Sequence, residues 1–250
     1  GFDVTFAPKI TAGKAGSGLH IHFKLMDGDT NVMTVDGRLS DQARKAIAGI
    51  LDMSPAITAF GNKVPTSYLR LVPHQEAPTN ICWGDRNRSV LVRVPLGWTG
   101  ETDMCAQANP LEADDIVPPA QKQTAELRSS DCSADIYQLL AGMVVAARTG
   151  FERADALKRA EDMYVAVNIH NDENKEKLAS LASLPDSCVA SAKALEERRE
   201  VFEKGGVFSP QMIDGIIAQL KKYDDENLRR KVNNSPREMM ELVHKYWHCG

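Results

Sequence analysis

Apolar and polar residues alternate through the early part of the chain, and the alternation breaks wherever aspartate and glycine gather. In "GSGLHIHFKL", residues 16–25, Leu19, Ile21 and Phe23 fall on one side of a predicted strand, and His20 and His22 point together from the other. The following "HIHFKLMDGDTNVMTVDG" predicts a hairpin turning near Asp27 to Asn31. The period then changes. In "LSDQARKAIAGILDMSPAI", Ser40 caps a helix carrying Ala43, Ile47 and Ile50 on one side, and Pro55, after Ser54, is expected to begin a second short helix.

Further along, "RSVLVRVP" from Arg88 to Pro95 is β-branched and alternating and predicts a strand that Pro95 ends. Residues 97–123 are rich in acid, proline and glycine and too long for an ordinary connection, so they read as a flap, an excursion or a mobile loop. "TAELRSS" resumes a short strand. From Ala134 to Arg148 the residues Ile136, Leu139, Leu140, Met143 and Val144 repeat at helical spacing, predicting a buried helix that Gly150 ends. The rest is mostly helical: Ser209 and Pro210 open a helix with the stripe Ile213, Ile216, Ile217 and Leu220, and Ser235, Pro236 and Glu238 form a capping-box signature. Strands first and helices afterwards, with few βαβ signals, indicate an α+β chain.

Composition narrows the function classes. The 250 residues are 43% hydrophobic and 26% charged, enough for a sizeable core in one large domain or two small ones. The formal net charge of -4 and the lack of basic runs interleaved with aromatics argue against a nucleic-acid partner. No stretch approaches a membrane span, and "GFDVTFAPKI" lacks the basic and apolar regions of a signal peptide, so a cytoplasmic protein is expected. The cysteines Cys82, Cys105, Cys132, Cys188 and Cys249 are scattered. This pattern predicts reduced structural thiols rather than a disulfide framework or a thiolate zinc site.

Several residues carry candidate chemistry. A magnesium or manganese site needs carboxylate oxygens, so His20 and His22 would require a partner from elsewhere. "AELRS" offers one, since Glu126 and Arg128 share a side of a strand. Arg70, Arg86, Arg88 and Arg93 surround a proline-bounded loop containing Glu76, and arginine is the residue for bidentate contacts to carboxylate or phosphate. Each feature also has a plain reading: an exposed His-x-His, a surface Glu–Arg ladder, solvated arginines, or a "GSG" turn without a P-loop's lysine and serine.

The order of the pieces goes further. "APKI", "GSGLHIHFKL", "LSDQARKAIAGIL", "AITAFGNKVPTSYLRLVPHQEAP", "DRNRSVLVRVP", "AELR" and "GGVFSPQMID" together resemble the catalytic domain of the glutamine synthetase family across nearly the whole chain. The resemblance implies a curved antiparallel sheet packed by helices, with residues 1–250 forming the C-terminal portion of that domain and 134–250 its helical part. It implies ATP-dependent ligation of ammonia or an amine to the γ-carboxylate of glutamate through a γ-glutamyl phosphate, with Mg2+ or Mn2+ as cofactor. By resemblance, Glu76 (a flap glutamate) and Arg88 are catalytic. Gly16, His20, Arg70 and Arg128 bind the amino-acid substrate; His22, Arg88 and Arg93 contact ATP; His20 and Glu126 ligate the metal. A homo-oligomeric ring is expected.

Departures from the family pattern are Ala15 for asparagine, Lys24 for serine, "TSYLRL" for "NSYKRL" and Thr124 for arginine. They bear on substrate identity and nucleotide contacts, leaving open a γ-glutamyl-amine ligase with a different acceptor. The family's N-terminal β-rich domain and the strands bearing most of its metal carboxylates have no counterpart here. The chain is therefore expected to be a fragment, inactive alone, or else a noncatalytic relative that binds nucleotide or metal.

Overall fold

A computed structural model describes residues 1–11, 13–73, 75–95, 108–109, 111, 122–167, 179–233 and 235–249. The region 97–123, expected as a flap, thus lies almost wholly outside the described residues.

The core is organised around α1, Asp41–Gly61, which is buried along most of its length. Its start is the predicted one: Ser40 Oγ accepts from the Ala43 amide at 3.1 Å and donates to the Val32 carbonyl at 2.6 Å, satisfying a helix-end donor. The break expected at Pro55 does not occur; one helix runs through it. Proline removes an amide that would bond the Leu51 carbonyl, but Ser54 Oγ donates to that oxygen at 2.7 Å, and the helix continues with its acceptor satisfied.

The helix α3, Ile136–Glu152, is capped by Asp135 and extends past Gly150, where the sequence predicts its end. Gly150 marks a helix crossing rather than an end: a Cβ there would lie 1.8 Å from the Lys45 carbonyl oxygen on α1, and one on Gly49 would lie 2.2 Å from that of Ala146. Two glycines let the two backbones touch. The helix is also only half buried. Leu139, Met143 and Ala146 face α1, while Ile136, Leu140 and Val144 are exposed.

Phe60 at the end of α1 stacks on Phe208 at 5.0 Å and meets Phe202 edge-on at 5.3 Å. Those contacts tie in α5, Cys188–Glu203, and α6, Pro210–Lys221, whose apolar stripe Ile213, Ile216, Ile217 and Leu220 is buried as its spacing predicts. Short helices α2 (Pro65–Arg70), α4 (Ala156–Asp162), α7 (Leu228–Asn233) and α8 (Pro236–Lys245) complete the helical part of the described residues, α8 starting where Ser235 accepts from the Glu238 amide. Among the described residues, no helix is long and apolar enough to cross a membrane.

Beside these helices lies a four-stranded sheet ordered β1 (Ile21–Phe23), β8 (Ala125–Leu127), β7 (Val92–Val94), β6 (Trp83–Asp85). The first two pairings are antiparallel, and the last, between β6 and β7, is parallel. The hairpin β2 (Met26–Asp27) and β3 (Thr30–Asn31) forms where predicted, and β4 (Thr34–Val35) pairs with β5 (Arg38–Leu39). The strand expected from Arg88 to Pro95 is confined to Val92–Val94. Asn87 Oδ1 accepts from both the Ser89 amide and hydroxyl, folding residues 87–89 into a turn that competes with the ladder.

Candidate functional site

Strand register assembles the site. His22 and Arg93 are the cross-strand partners of Glu126, so one imidazole, one carboxylate and one guanidinium form a row across β1, β8 and β7. Alternation sends Ile21 and Phe23 toward the core, where Val92, Ala125 and Leu127 are buried, and leaves the polar row on the opposite face. Arg128, two positions beyond Glu126, continues on the same side.

Glu126 is the hub, only 1% exposed. Its Oε1 lies 2.8 Å from Arg93 Nε, 3.2 Å from Arg128 Nε and 3.7 Å from His20 Nδ1, and its Oε2 lies 2.8 Å from His22 Nε2. The two guanidinium contacts are ion pairs by distance but are poorly aligned, so Oε1 and both Nε atoms lack a hydrogen-bond partner. Arg128 is fixed from behind, its Nη1 donating to the carbonyls of Arg88 and Val90.

Arg70 approaches from the end of α2. Its Nη1 donates to the Ser129 carbonyl at 2.7 Å and its Nη2 to that of Arg128 at 3.2 Å. The "GSG" turn makes room for it: a Cβ on Gly18 would lie 2.3 Å from Arg70 Nη2, and one on Gly16 would lie 2.1 Å from the Pro8 carbonyl oxygen. The glycines are needed for close approach, and neither has a positive φ.

Two cavities open over this row. One of about 270 Å³ is lined by Gly16, Gly18, His20, Arg70, Glu76 and Arg128 among others. A second, of about 660 Å³, shares His20, Glu76 and Arg128 with it and adds Arg86, Arg88 and Arg93. Residues from five separated stretches therefore bound one cleft, and its charged residues are mostly arginines, with Glu76 and Asp85 against them. Such a surface suits an anion carrying several charges.

Burial, and then the neighbouring Arg128, push the His20 imidazole below its ordinary value despite Glu126. Burial first, then Arg93, lowers Arg128, and burial lowers Arg70; both remain cationic.

Of the residues singled out from the sequence, Gly16, His20, Arg70, Glu76, Arg88, Arg93 and Arg128 line the cleft. Two do not. Glu126 lies beneath the arginines, and the His22 side chain, half exposed, turns to Glu126 and to Thr124 Oγ1 at 3.1 Å. The sequence reasoning missed the support of Arg70. Asn62 at the end of α1 donates to the same Ser129 carbonyl at 2.9 Å and to Asp131 Oδ2 at 2.8 Å. Asp131 is buried and its carboxyl raised by that burial, less so for the hydrogen bonds from Ser133. Lys9, in the quoted "APKI", is also buried, and burial together with Arg70 lowers its pKa.

Among the described residues, no group of three or more histidine, cysteine, aspartate or glutamate side chains is gathered to hold a metal. A dedicated protein cage is therefore missing from them. What they do offer is the Glu126 carboxylate, whose Oε1 lies 3.7 Å from His20 Nδ1. A carboxylate and an imidazole are donor types that a magnesium or manganese ion accepts, and these two would need further ligands from outside the described residues.

Comparison with known proteins identifies the family to which this sequence and fold belong. Residues 1–240 match the profile of the glutamine synthetase catalytic domain. The glutamine synthetase of Vibrio cholerae is 31% identical over 239 residues, covering 93% of this chain and 45% of that protein. That of Thermococcus kodakarensis is 33% identical over 225 residues, covering 89% and 45%. Among solved structures, the cryo-EM glutamine synthetase of Plasmodium falciparum superposes with a TM-score of 0.65 at 20% identity, covering 90% of this chain and 47% of that one. GmaS in its ADP complex gives 0.63 at 22%, covering 93% and 49%. The two structural likenesses speak for the fold, and the chain spans about half the length of the curated relatives it matches. By the profile match and the sequence identities, this chain belongs to the glutamine synthetase family, with residues 1–240 corresponding to its catalytic domain.

Proposed function

We propose that this chain supplies the substrate- and phosphate-binding part of an ATP-dependent, ADP-forming ligase that joins ammonia or an amine to the γ-carboxylate of glutamate through a γ-glutamyl phosphate. The observation that carries the proposal is the convergence of Arg70, Arg88, Arg93 and Arg128 on one cleft above a buried carboxylate. Phosphoryl transfer asks chiefly for alignment and for positive charge around the moving group. Arg70 and Arg128, held by backbone carbonyls, and Arg93, beside Glu126, provide fixed positive charge, and the exposed Arg88 adds to it.

In this reading Arg70, held by two backbone carbonyls, takes the α-carboxylate side of glutamate in the smaller cavity, next to Gly16 and His20. Arg128 stands between the two cavities, beside the γ-carboxylate. Arg88 and Arg93 line the larger cavity and hold the nucleotide phosphates, with His22 at the strand edge near the nucleotide. Glu76 borders both cavities, where closing its loop excludes water from an acyl phosphate that would otherwise hydrolyse. Bound between His20 and Glu126, a divalent ion would supply Lewis-acid charge stabilisation at the phosphates. Cytoplasmic ring assembly belongs to the same proposal.

A second reading is a noncatalytic relative that binds nucleotide, favoured by the lack of a three-ligand metal cluster among the described residues. Two measurements separate the readings. Calorimetry with ADP and Mn2+ on the full chain should show binding that Arg93→Gln weakens at least tenfold; no binding defeats both readings. ADP release by the intact gene product, assayed with glutamate and ammonium or a panel of amines, should depend on both substrates. Nucleotide binding without release in any combination defeats the ligase and leaves the binder.

A further inference from the structure

Two of the cysteines scattered along the sequence meet in space. Cys132 and Cys249 lie 117 positions apart, yet their Sγ atoms are 3.9 Å apart, and neither is deeply buried. Cys132 follows Asp131, whose amide donates to the Gly61 carbonyl and whose carboxylate is held by Asn62, so its backbone is anchored to α1. Cys249 lies past the end of α8, in irregular backbone. By contrast, Cys82 and Cys188 are 0% exposed in the core.

We propose that Cys132 and Cys249 form a reversible intramolecular disulfide, with a low-molecular-weight disulfide of the glutathione class as oxidant. The sulfurs are already in contact, and a shift of about 2 Å brings them to bonding distance. Burial raises both thiols, Cys132 to about 12, but the hydrogen bond from Cys132 partly offsets this at Cys249, so Cys249 is the first to attack. Its thiolate bonds to one sulfur of RSSR and expels RS⁻, which takes up a proton. The Cys132 thiolate then bonds to Cys249 Sγ and expels the second RS⁻. Two protein thiols and RSSR become one protein disulfide and two RSH, with two electrons passing to the oxidant.

The bond joins the two supports of Arg70. On one side, residues 128 and 129 hold its guanidinium through their carbonyls. On the other, Arg229 of α7 donates to the carbonyls of Tyr68 and Leu71, fixing α2. The helix α8 that leads to Cys249 packs with Leu69 and Val232 through Met239 and Val243. Oxidation therefore clamps both supports together. It closes a long loop, which restricts the unfolded chain.

The test equilibrates the full chain in glutathione buffers from reducing to oxidising, blocks remaining thiols, and maps linked peptides by mass spectrometry, with Cys105→Ser run in parallel. Expected are a linked pair containing residues 132 and 249 within one chain, its loss in Cys249→Ser, and its reversal by dithiothreitol. The oxidised chain should melt about 5–10 °C higher. Failure to link under the most oxidising buffer, a stable mixed disulfide with glutathione alone, linkage between chains, or pairing with a different cysteine would each overturn the proposal. Since the mapping uses no nucleotide or amine, its outcome is separate from that of the proposed ligase.

Discussion

Replacing Glu126 by glutamine tests the electrostatic hub directly. The carboxylate is 1% exposed, with Arg93 Nε at 2.8 Å and Arg128 Nε at 3.2 Å. At an effective dielectric of about 20, each pair at such distances is worth roughly 5 kcal/mol before desolvation is counted. Much of that is offset by the cost of burying the charges, and removing one partner of a buried pair typically costs about 3–5 kcal/mol because the other charge stays behind. Here two guanidiniums stay behind, and Arg128 is pinned by the carbonyls of Arg88 and Val90. Glu126→Gln should therefore lower the unfolding free energy by ~4 kcal/mol in urea titrations. The loss should be partly restored by millimolar tripolyphosphate, because an anion in the cleft replaces the missing counter-charge. The wild-type chain, already neutralised at this point, should gain less from the same anion. A variant within about 1 kcal/mol of wild type, or equally responsive to the anion, would show that solvent already balances the arginines. The hub would then be refuted.

Three further outcomes follow from particular contacts. Gly18→Ala sets a methyl group 2.3 Å from Arg70 Nη2 and should cost about 2–3 kcal/mol as the guanidinium leaves its two carbonyls, whereas Gly215→Ala on α6, with open space around it, should stabilise by ~0.5 kcal/mol; equal urea midpoints would exclude the close approach. Gly150→Ala meets backbone 1.8 Å away on α1 and should cost about 3 kcal/mol or more, shown by a lowered melting midpoint; a neutral effect would mean the two helices are not in contact there. Burial raises Tyr68, Cys188 and Cys132, the last to about 12, so the folded chain keeps protons that the unfolded chain releases. Their contribution is fully present at neutral pH and is lost upward from about pH 9, with stability falling ~1.4 kcal/mol per pH unit for each group in its window. Urea midpoints under reducing conditions that stay flat to about pH 11 would contradict these burials.

Much of the local structure could be read from spacing. The Ser40, Ser209 and Ser235 caps, the hairpin around Asp27 to Asn31 and the stripe of α6 depend on residues within one or two turns of each other, and each formed where its pattern placed it. The errors arose where a distant group took over a local rule or a side chain rewrote it. Pro55 continues a helix because Ser54 serves the orphaned carbonyl, and Gly150 serves a crossing with α1 rather than a helix end. The turn at Asn87 shortened a strand that β-branched residues alone would extend.

For the site, the sequence alone identified the residue types and, through the order of motifs, the family. It established that Glu126 and Arg128 share a side and that His20 and His22 do so too. Only the tertiary structure set His22 and Arg93 across from Glu126, placed Glu126 beneath the cleft, seated Arg70 against Gly18, and brought Cys132 to Cys249. The physical reason is range. Backbone periodicity and capping are fixed by neighbours a few residues apart, whereas strand register and helix crossings are settled by the packing of segments a hundred residues apart, which leaves no repeat in the chain to be read.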